Sequence, residues 1–163
     1  MKKWLFLILL FPLICVAQTY RYLGVEDGLS NRRVYCIQKD KTGYMWFLTH
    51  EGIDRYNGKE FKRYKLMDGD AEVNSLLNLN WLYIDQEGVL WEIGKKGKIF
   101  RYDQIHDCFT LVYKLPIENF RDLPAPVSFA WLDQSKHIWL CNEETIFIYN
   151  TDTGEVTHIK NDI

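Results

Sequence analysis

The residue types that carry catalysis and metal binding are scattered along this sequence rather than grouped in motifs. The histidines form no His-Glu-x-x-His zinc motif, no serine stands in a nucleophile elbow, and no loop has the form of a phosphate-binding loop. The cysteines show neither Cys-x-x-Cys pairs nor Cys/His metal spacing. The sequence therefore predicts no catalytic residues, no metal site and no cofactor. The histidines are His50, His106, His137 and His158.

Acidic residues recur at regular intervals, which indicates architecture rather than catalysis. Asp40, Asp85 and Asp133 are separated by 45 and 48 residues, and each opens a predicted turn. An aspartate at such a position accepts a hydrogen bond from the backbone two residues further along the chain. We therefore predict that these three carboxylates shape turns.

Aromatic residues repeat with the same period. Three tryptophans recur at spacings of 45 and 48 residues, and three tyrosines at spacings of 46 and 47. A period near 45 residues is typical of propellers and solenoids. We predict that these residues are buried and pack one repeat against the next, rather than serving as platforms for sugars. The two series are Trp46, Trp91 and Trp139, and Tyr56, Tyr102 and Tyr149.

Each repeat is predicted to form four short antiparallel strands. In the first repeat, residues 34–39, 44–49, 53–56 and 60–66 are rich in β-branched and aromatic residues, and turn signals such as Asn57-Gly58 separate them. Four strands in a unit of this length form the blade of a β-propeller. We therefore predict an all-β fold of about three blades, an incomplete propeller, because propellers close with about 4–8 blades.

The first 17 residues are predicted to be a signal peptide rather than part of the fold. Lys2 and Lys3 precede an apolar run of 13 residues, and Ala17 suits cleavage by signal peptidase. The run is shorter than the ~20 residues needed to span a bilayer. The remaining 146 residues carry 18 basic and 22 acidic groups, a net charge of −4, which argues against nucleic acid as a partner.

The predicted organisation after the signal peptide follows the repeats. Residues 18–33 are predicted to form an N-terminal strand, near Thr19 to Leu23, and a lead-in. Blade 1 covers residues 34–66, a connector and blade 2 cover 67–113, and a connector and blade 3 cover 114–163.

The repeat motifs resemble the two-component regulator propeller repeats. The resemblance rests on Asp27-Gly28-Leu29-Ser30, on Asp-x-x-Gly-x-x-Trp at 40–46 and 85–91, and on Arg-Tyr-Asn/Asp at 55–57 and 101–103. The third copy departs, because Lys136 replaces the turn glycine and Ile148 replaces the arginine. The resemblance implies the periplasmic sensor region of a hybrid two-component histidine kinase from Bacteroidetes-type bacteria, which responds to oligosaccharides from glycan breakdown. It also implies further blades, a membrane helix and a kinase beyond this chain.

Binding is predicted at the loops that emerge at one end of the blades. In a four-stranded meander, the connections from second to third strand and from fourth strand to the next blade share one end. The connectors at 65–78 and 114–128 are long for such loops, which is typical of functional loops. Lys95 and Arg121 could pair with an acidic sugar, and His50 and Phe120 could stack or hydrogen-bond. The candidate ligand-binding residues are His50, Glu51, Lys95, Lys96, Phe120, Arg121 and Asn142.

Three functions follow from these observations. The favoured one is the N-terminal propeller portion of a periplasmic, ligand-recognising sensor, with no catalysis of its own. Its expected partners are an oligosaccharide, the remaining blades of the sensor and a second copy in a homodimer. It would reach the membrane only through parts absent from this chain. The alternatives are a piece of an exported propeller enzyme, such as a lyase or glycosidase, and a protein-interaction module.

Overall fold

The computed structural model of this chain describes residues 20–73, 79–115, 127–143 and 145–160. The fold is all-β, as predicted, and the described strands form three sheets. Each sheet contains a four-stranded antiparallel meander, which confirms the predicted propeller blades. The predicted signal peptide lies outside the described residues. Within the described residues, no helix is long and apolar enough to cross a membrane.

Blade 1 is a meander in which each strand pairs with the next along the chain, in the order β1-β2-β3-β4. Its central strand β2 is buried from Trp46 to Thr49, because it is covered on both faces. The hairpin between the last two strands turns at Gly58, whose φ is 95°. The strands are β1 Val34–Lys39, β2 Met45–Thr49, β3 Gly52–Tyr56 and β4 Phe61–Tyr64.

Blade 2 is larger than predicted, because part of its connector forms strands. Residues 65–78 were expected to form a loop, but Leu66–Asp68 (β5) and Ala71–Val73 (β6) form a hairpin that turns at Gly69. Strand β5 pairs in parallel with the outer strand of the blade. Leu66 is 1% exposed, and burial of this side chain explains why the segment joins the sheet. The meander strands are β7 Leu79–Ile84, β8 Leu90–Gly94, β9 Lys98–Asp103 and β10 Cys108–Lys114.

Blade 3 repeats the simple meander of blade 1, in the order β11-β12-β13-β14. One of its faces packs on blade 2 through Ala130, Ile138, Leu140 and Tyr149. The strands are β11 Phe129–Leu132, β12 His137–Cys141, β13 Thr145–Asn150 and β14 Val156–Lys160.

The first turn of each blade requires a residue with positive φ. Gly43 and Gly88 fill this position with φ of 95° and 93°, and Lys136 fills it in blade 3 with φ of 64°. A lysine in this region is strained, because its Cβ crowds the backbone. The Lys136 ammonium forms ion pairs with Glu87 at 2.5 Å and with Asp152 at 3.0 Å. The turn therefore keeps its shape although the glycine is missing.

One aspartate in each blade holds both the turn and the tryptophan of the second strand. The Trp46 indole Nε1 donates to Asp40 Oδ2 at 2.8 Å, and the pairs Trp91–Asp85 and Trp139–Asp133 repeat this bond at 2.9 Å. The other carboxylate oxygen accepts backbone N–H groups of the turn. The predicted bond to the backbone two residues further on is present at Asp40 and Asp133. The tryptophan bond was not foreseen from the sequence.

Consecutive blades meet through the tryptophan of one and the tyrosine of the next. The ring centroids of Trp46 and Tyr102 are 5.0 Å apart, and those of Trp91 and Tyr149 are 6.3 Å apart. Successive side chains of a strand lie on opposite faces of the sheet, and the register places the repeated tryptophan and tyrosine of one blade on opposite faces. The tryptophan of one blade therefore meets the tyrosine of the next. Trp46 and Trp91 are only 1% and 2% exposed.

The third tryptophan differs from the first two. Trp139 forms the same hydrogen bond to Asp133, but it is only partly buried, because no described blade covers its face. The register of blade 3 places several apolar side chains on that face. The prediction that all three tryptophans are buried is therefore wrong for Trp139. The face carries Phe129, Trp131, Trp139, Cys141, Ile146, Ile148 and Ile159.

The predicted N-terminal strand is not formed in the described residues. Residues 20–24 pair with no strand, because the blade edge that would accept them is absent from the described residues. A 3₁₀ turn at Val25–Asp27 follows instead. The lead-in packs on the outer face of blade 1, where Leu29 joins Phe47 and Tyr56.

We expect the loss of the Trp91 ring to destabilise the fold more than the loss of Trp139. Trp91→Ala leaves a cavity between two blades and should lower the free energy of unfolding by about 3–5 kcal/mol. Trp139→Ala should lower the free energy of unfolding by about half as much, because the Trp139 indole is already partly exposed to water in the folded chain. Urea unfolding of the two variants measures both values, and Trp131→Ala is the exposed control. Equal losses at 91 and 139 would show that something covers the face of blade 3.

We also expect the turn aspartate Asp40 to make the fold sensitive to acid. Burial raises the pKa of Asp40, but hydrogen bonds from Thr42 and Trp46 outweigh it and lower the pKa below its ordinary value of 3.8. A carboxyl group whose pKa is lower in the folded than in the unfolded state stabilises the fold at pH values above its unfolded pKa. This stabilisation is lost as the pH falls through the folded pKa. Urea midpoints should therefore fall as the pH decreases below about 4, and less steeply in Asp40→Asn. Asp70→Asn, at an exposed turn, should keep the slope of the parent chain.

Candidate ligand-binding end of the blades

The described parts of the loops predicted to bind a ligand share one end of the blades. The His50 backbone N–H donates to the carbonyl of Arg33 at 3.0 Å, which joins the β2–β3 loop to the segment before β1. In blade 2, the carbonyl of Lys95 accepts from Val127 N–H at 3.0 Å, so the segment just before blade 3 contacts the equivalent loop. We call this the loop end.

The opposite end of the blades carries the aspartate turns, and neighbouring turns contact each other. The Lys41 ammonium donates to the carbonyl of Gln86, and the Gln86 amide donates to the carbonyl of Gln134 at 3.2 Å. The ion pair between Glu87 and Lys136 also joins two blades here. Charged groups at this turn end are thus engaged in holding the blades together.

A shallow, open cavity of about 570 Å³ lies at the loop end of blade 1. Among the described residues it is lined by Asn31, Arg32, Arg33 and His50. Both arginines and His50 are exposed, so their polar groups are accessible to a ligand.

The residues before the two arginines are fixed to blade 1. Leu29 is 5% exposed in the cluster on the outer face. The Ser30 backbone N–H and hydroxyl both donate to Asp54 Oδ2, at 2.9 and 2.6 Å, and the hydroxyl also contacts Thr49 Oγ1 at 2.8 Å. Burial raises the pKa of Asp54, against the hydrogen bonds from Ser30 that lower it. The lead-in is therefore anchored through a buried carboxylate.

Two further hydrogen bonds orient the cavity wall. Asn31 Oδ1 accepts from the Arg33 backbone N–H at 2.8 Å, which forms a local turn that presents both arginines. His50 Nδ1 lies 2.9 Å from the Tyr35 hydroxyl. When that hydroxyl donates, the imidazole carries its proton on Nε2, which leaves an N–H donor for a ligand.

The predicted site residues are only partly brought together. His50 lines the cavity, and its neighbour Glu51 forms a long ion pair with Arg63 at 3.7 Å. Lys95 and Lys96 lie at the loop end of blade 2, outside this lining.

The remaining candidates lie further along the chain. Asn142 Oδ1 accepts from the Thr145 backbone N–H at 2.7 Å, so it caps its own turn. Phe120 and Arg121 lie outside the described residues.

Asn31, Arg32, Arg33 and Tyr35 are not among the site residues predicted from the sequence. A signal for them exists, because the segment before β1 is equivalent to the long connectors that precede blades 2 and 3. If the segment at 28–33 emerges at the same end as the β2–β3 loop, two adjacent arginines lie beside His50. The prediction above treats that segment only as a lead-in.

A second cavity, of about 860 Å³, lies between blades 1 and 2 at the turn end. Its wall includes Arg55, whose guanidinium lies 4.6 Å from the Tyr44 ring centroid and donates to the Tyr102 hydroxyl at 3.3 Å. Asp107 accepts from the Tyr64 and Tyr102 hydroxyls at 2.8 and 2.5 Å, and from Lys62.

The network around Asp107 joins the two blades. Burial raises the pKa of Asp107, but the hydrogen bonds from Lys62, Tyr102 and Tyr64 outweigh it and hold the pKa well below its usual range. Burial and the bond to Asp107 raise the pKa of Tyr64 well above its ordinary value. The network keeps a charged carboxylate beside neutral phenols, which suits a structural junction. In the described parts of the chain, no three His, Cys, Asp or Glu residues are placed to hold a metal ion.

Comparison with known proteins agrees with this architecture. The family model described as "Two component regulator propeller" matches residues 28–51, which run from the lead-in through β2 and include the cavity wall. The predicted resemblance to these repeats is confirmed. No curated protein matches the sequence significantly.

Solved structures show the same fold. The extracellular domain of the protein described as hybrid two component system BT3049 from B. thetaiotaomicron is 27% identical with a TM-score of 0.64, over 86% of this chain and 20% of that one. The extracellular domain of BT4673 from the same organism, described as a one component system, is 25% identical with a TM-score of 0.59, over 81% and 19%. An inactive variant of virginiamycin B lyase from Staphylococcus aureus, with quinupristin, is 18% identical with a TM-score of 0.60, over 83% and 44%.

These comparisons define the class of domain. The chain is a propeller domain like the ectodomains of two-component sensors, and it spans about a fifth of the length of those two ectodomains. The extracellular setting of these similar structures suggests an exported protein. The lyase shares the fold alone.

We expect Ser30→Ala to loosen the segment that presents the arginines. The substitution leaves the buried Asp54 carboxylate without its side-chain donor, which should cost about 1–3 kcal/mol of unfolding free energy. Urea unfolding measures the loss, and Ser135→Ala, in an exposed turn, is the control. An unchanged midpoint for Ser30→Ala would show that the lead-in does not depend on Asp54.

Proposed function

We propose that this chain is the N-terminal propeller portion of a periplasmic sensor of a hybrid two-component system, and that its loop end recognises an oligosaccharide derived from glycan breakdown. The sensor would couple this recognition to transcription through parts beyond this chain. The chain itself performs no catalysis in this proposal.

One observation carries the proposal: the segment that matches the sensor repeats also forms the wall of a cavity at the loop end. Residues 28–51 contain the anchored lead-in, both arginines and His50. Guanidinium, imidazole and amide groups on an anchored backbone suit recognition of a polyhydroxylated ligand, because they offer many donors in a fixed arrangement. Hydrogen bonds to the rigid blade reduce the entropy lost on binding.

The open apolar face of blade 3 fits the same proposal. The ectodomains that this chain resembles are about five times as long. We propose that further blades of the sensor cover Trp139 and its neighbours, and that a second copy covers them when those blades are missing. Either arrangement removes from water a face too apolar to stay exposed on a stable monomer.

An exported propeller enzyme is the alternative. The similarity to virginiamycin B lyase concerns the fold alone. The cavity at the loop end contains arginines and an imidazole but, among the described residues, no carboxylate in its lining. A glycosidase needs two carboxyl groups that flank the scissile bond. Sensing is therefore the proposal that these residues favour.

We expect the chain to bind oligosaccharides at this cavity without converting them. Calorimetric titration with a panel of glycan-derived oligosaccharides should give saturable binding, and His50→Ala should weaken it by about tenfold, since a lost hydrogen bond costs about 1 kcal/mol or more. His158→Ala, on the exposed strand β14, is the matched control. Absence of binding, or equal affinity in both variants, would contradict the proposed site. Chromatography of the mixtures tests turnover, and new products would support the enzyme alternative.

A further inference from the structure

We infer that the cavity at the loop end of blade 1 selects ligands that carry a carboxylate or sulfate group, with Arg32 and Arg33 as the residues that recognise the charge. The inference rests on the proposed function, because it names the chemical class of the sugar. It concerns residues that the sequence analysis did not select.

The first argument is that these two cations are not neutralised. Arg21, Arg55 and Arg63 each lie in an ion pair with a carboxylate. Across the ranges that the structure describes, Arg32 and Arg33 take part in none. Glu51 is the acidic residue of the adjacent β2–β3 loop, and Arg63 contacts both its carboxylate and its carbonyl. Two guanidinium groups therefore face the cavity with their charge available.

The second argument is the separation of charge between the two ends of the blades. The turn end carries the repeated aspartates Asp40, Asp85 and Asp133, together with the inter-blade acids Glu87 and Asp107. The loop end carries Arg32 and Arg33 with Glu51 and, in blade 2, Lys95 and Lys96, whereas the turn-end cations Lys41 and Lys136 contact neighbouring blades. Because Arg63 pairs with Glu51, the two arginines give the rim of the cavity a local positive charge, which attracts an anion.

The third argument is preorganisation. The hydrogen bonds from Ser30 to Asp54 and from Arg33 N–H to Asn31 fix the backbone that carries both arginines. The bond from His50 N–H to the Arg33 carbonyl fixes the opposite wall. A guanidinium offers paired donors that match the two oxygens of a carboxylate or sulfate. A neutral sugar would leave this pair of charges without a partner.

The test uses pairs of ligands that differ only in charge. The purified chain is titrated with tetragalacturonate and with its methyl ester, and with a sulfated disaccharide and its desulfated form. We expect the charged member of at least one pair to bind at least tenfold more tightly than its neutral counterpart. Arg32→Gln/Arg33→Gln should abolish that preference. Lys39→Gln/Lys59→Gln removes the same charge at the turn end and should leave the preference unchanged.

The other outcomes separate this inference from the proposed function. Equal binding of charged and neutral ligands, lost in His50→Ala, would overturn the anion preference and leave oligosaccharide sensing intact. A preference that falls equally in both double variants would overturn the role of Arg32 and Arg33, because it would reflect net charge alone. Absence of binding to every charged ligand at millimolar concentration would overturn the inference. Circular dichroism of the double variants, expected to match the parent chain, excludes misfolding as the cause of a lost preference.

Discussion

The contact between the tryptophan of one blade and the tyrosine of the next is the interaction on which the rest of this structure depends. A single four-stranded sheet has two apolar faces and cannot bury both by itself. The Asp40–Trp46 bond, repeated in each blade, links the turn at one end of a blade to the ring that packs between blades. The repeated aspartate therefore fixes the indole in the orientation that the next blade requires.

This arrangement has consequences at the first and last described blades. On blade 1, Tyr56 has no tryptophan from a preceding blade, and the lead-in covers it with Leu29 while Arg21 lies 6.0 Å above its ring. On blade 3, Trp139 keeps its aspartate but has no tyrosine partner among the described residues. Blade 3 also has Ile148 where the earlier blades place an arginine beside the tryptophan. Arg55 uses that position to reach Tyr102 of the next blade, whereas blade 3 presents an apolar side chain there.

In this meander, charged groups at the turn end connect neighbouring blades, whereas charged groups at the loop end of blade 1 are exposed to solvent. Every turn at the aspartate end is engaged in its own backbone or in the neighbouring blade, as the contacts of Lys41, Gln86 and Lys136 show. At the loop end, the first loop, from Leu29 to Arg33, is anchored on the blade and still exposes two arginines. A propeller blade can thus offer a binding surface without weakening the contacts that hold it to its neighbours.

The sequence by itself determined the repeat, the blade, the turns that Asp40 and its counterparts open and the burial of Trp46 and Trp91, because these depend on local turns and on a strict period. It also predicted that His50 lies in the connection between the second and third strands, as the structure has it, and its role in ligand binding stays a prediction. Only the tertiary structure decided what depends on neighbours: the β5–β6 hairpin, the partial exposure of Trp139 and the lack of strand pairing at residues 20–24. The cavity beside His50 belongs to the same group, because Arg32 and Arg33 are ordinary surface residues until Ser30 binds Asp54, 24 residues away, and directs them to one side of the blade. Contacts between distant segments leave no periodic mark in a sequence, which is the physical reason that the architecture was predictable and the site was not.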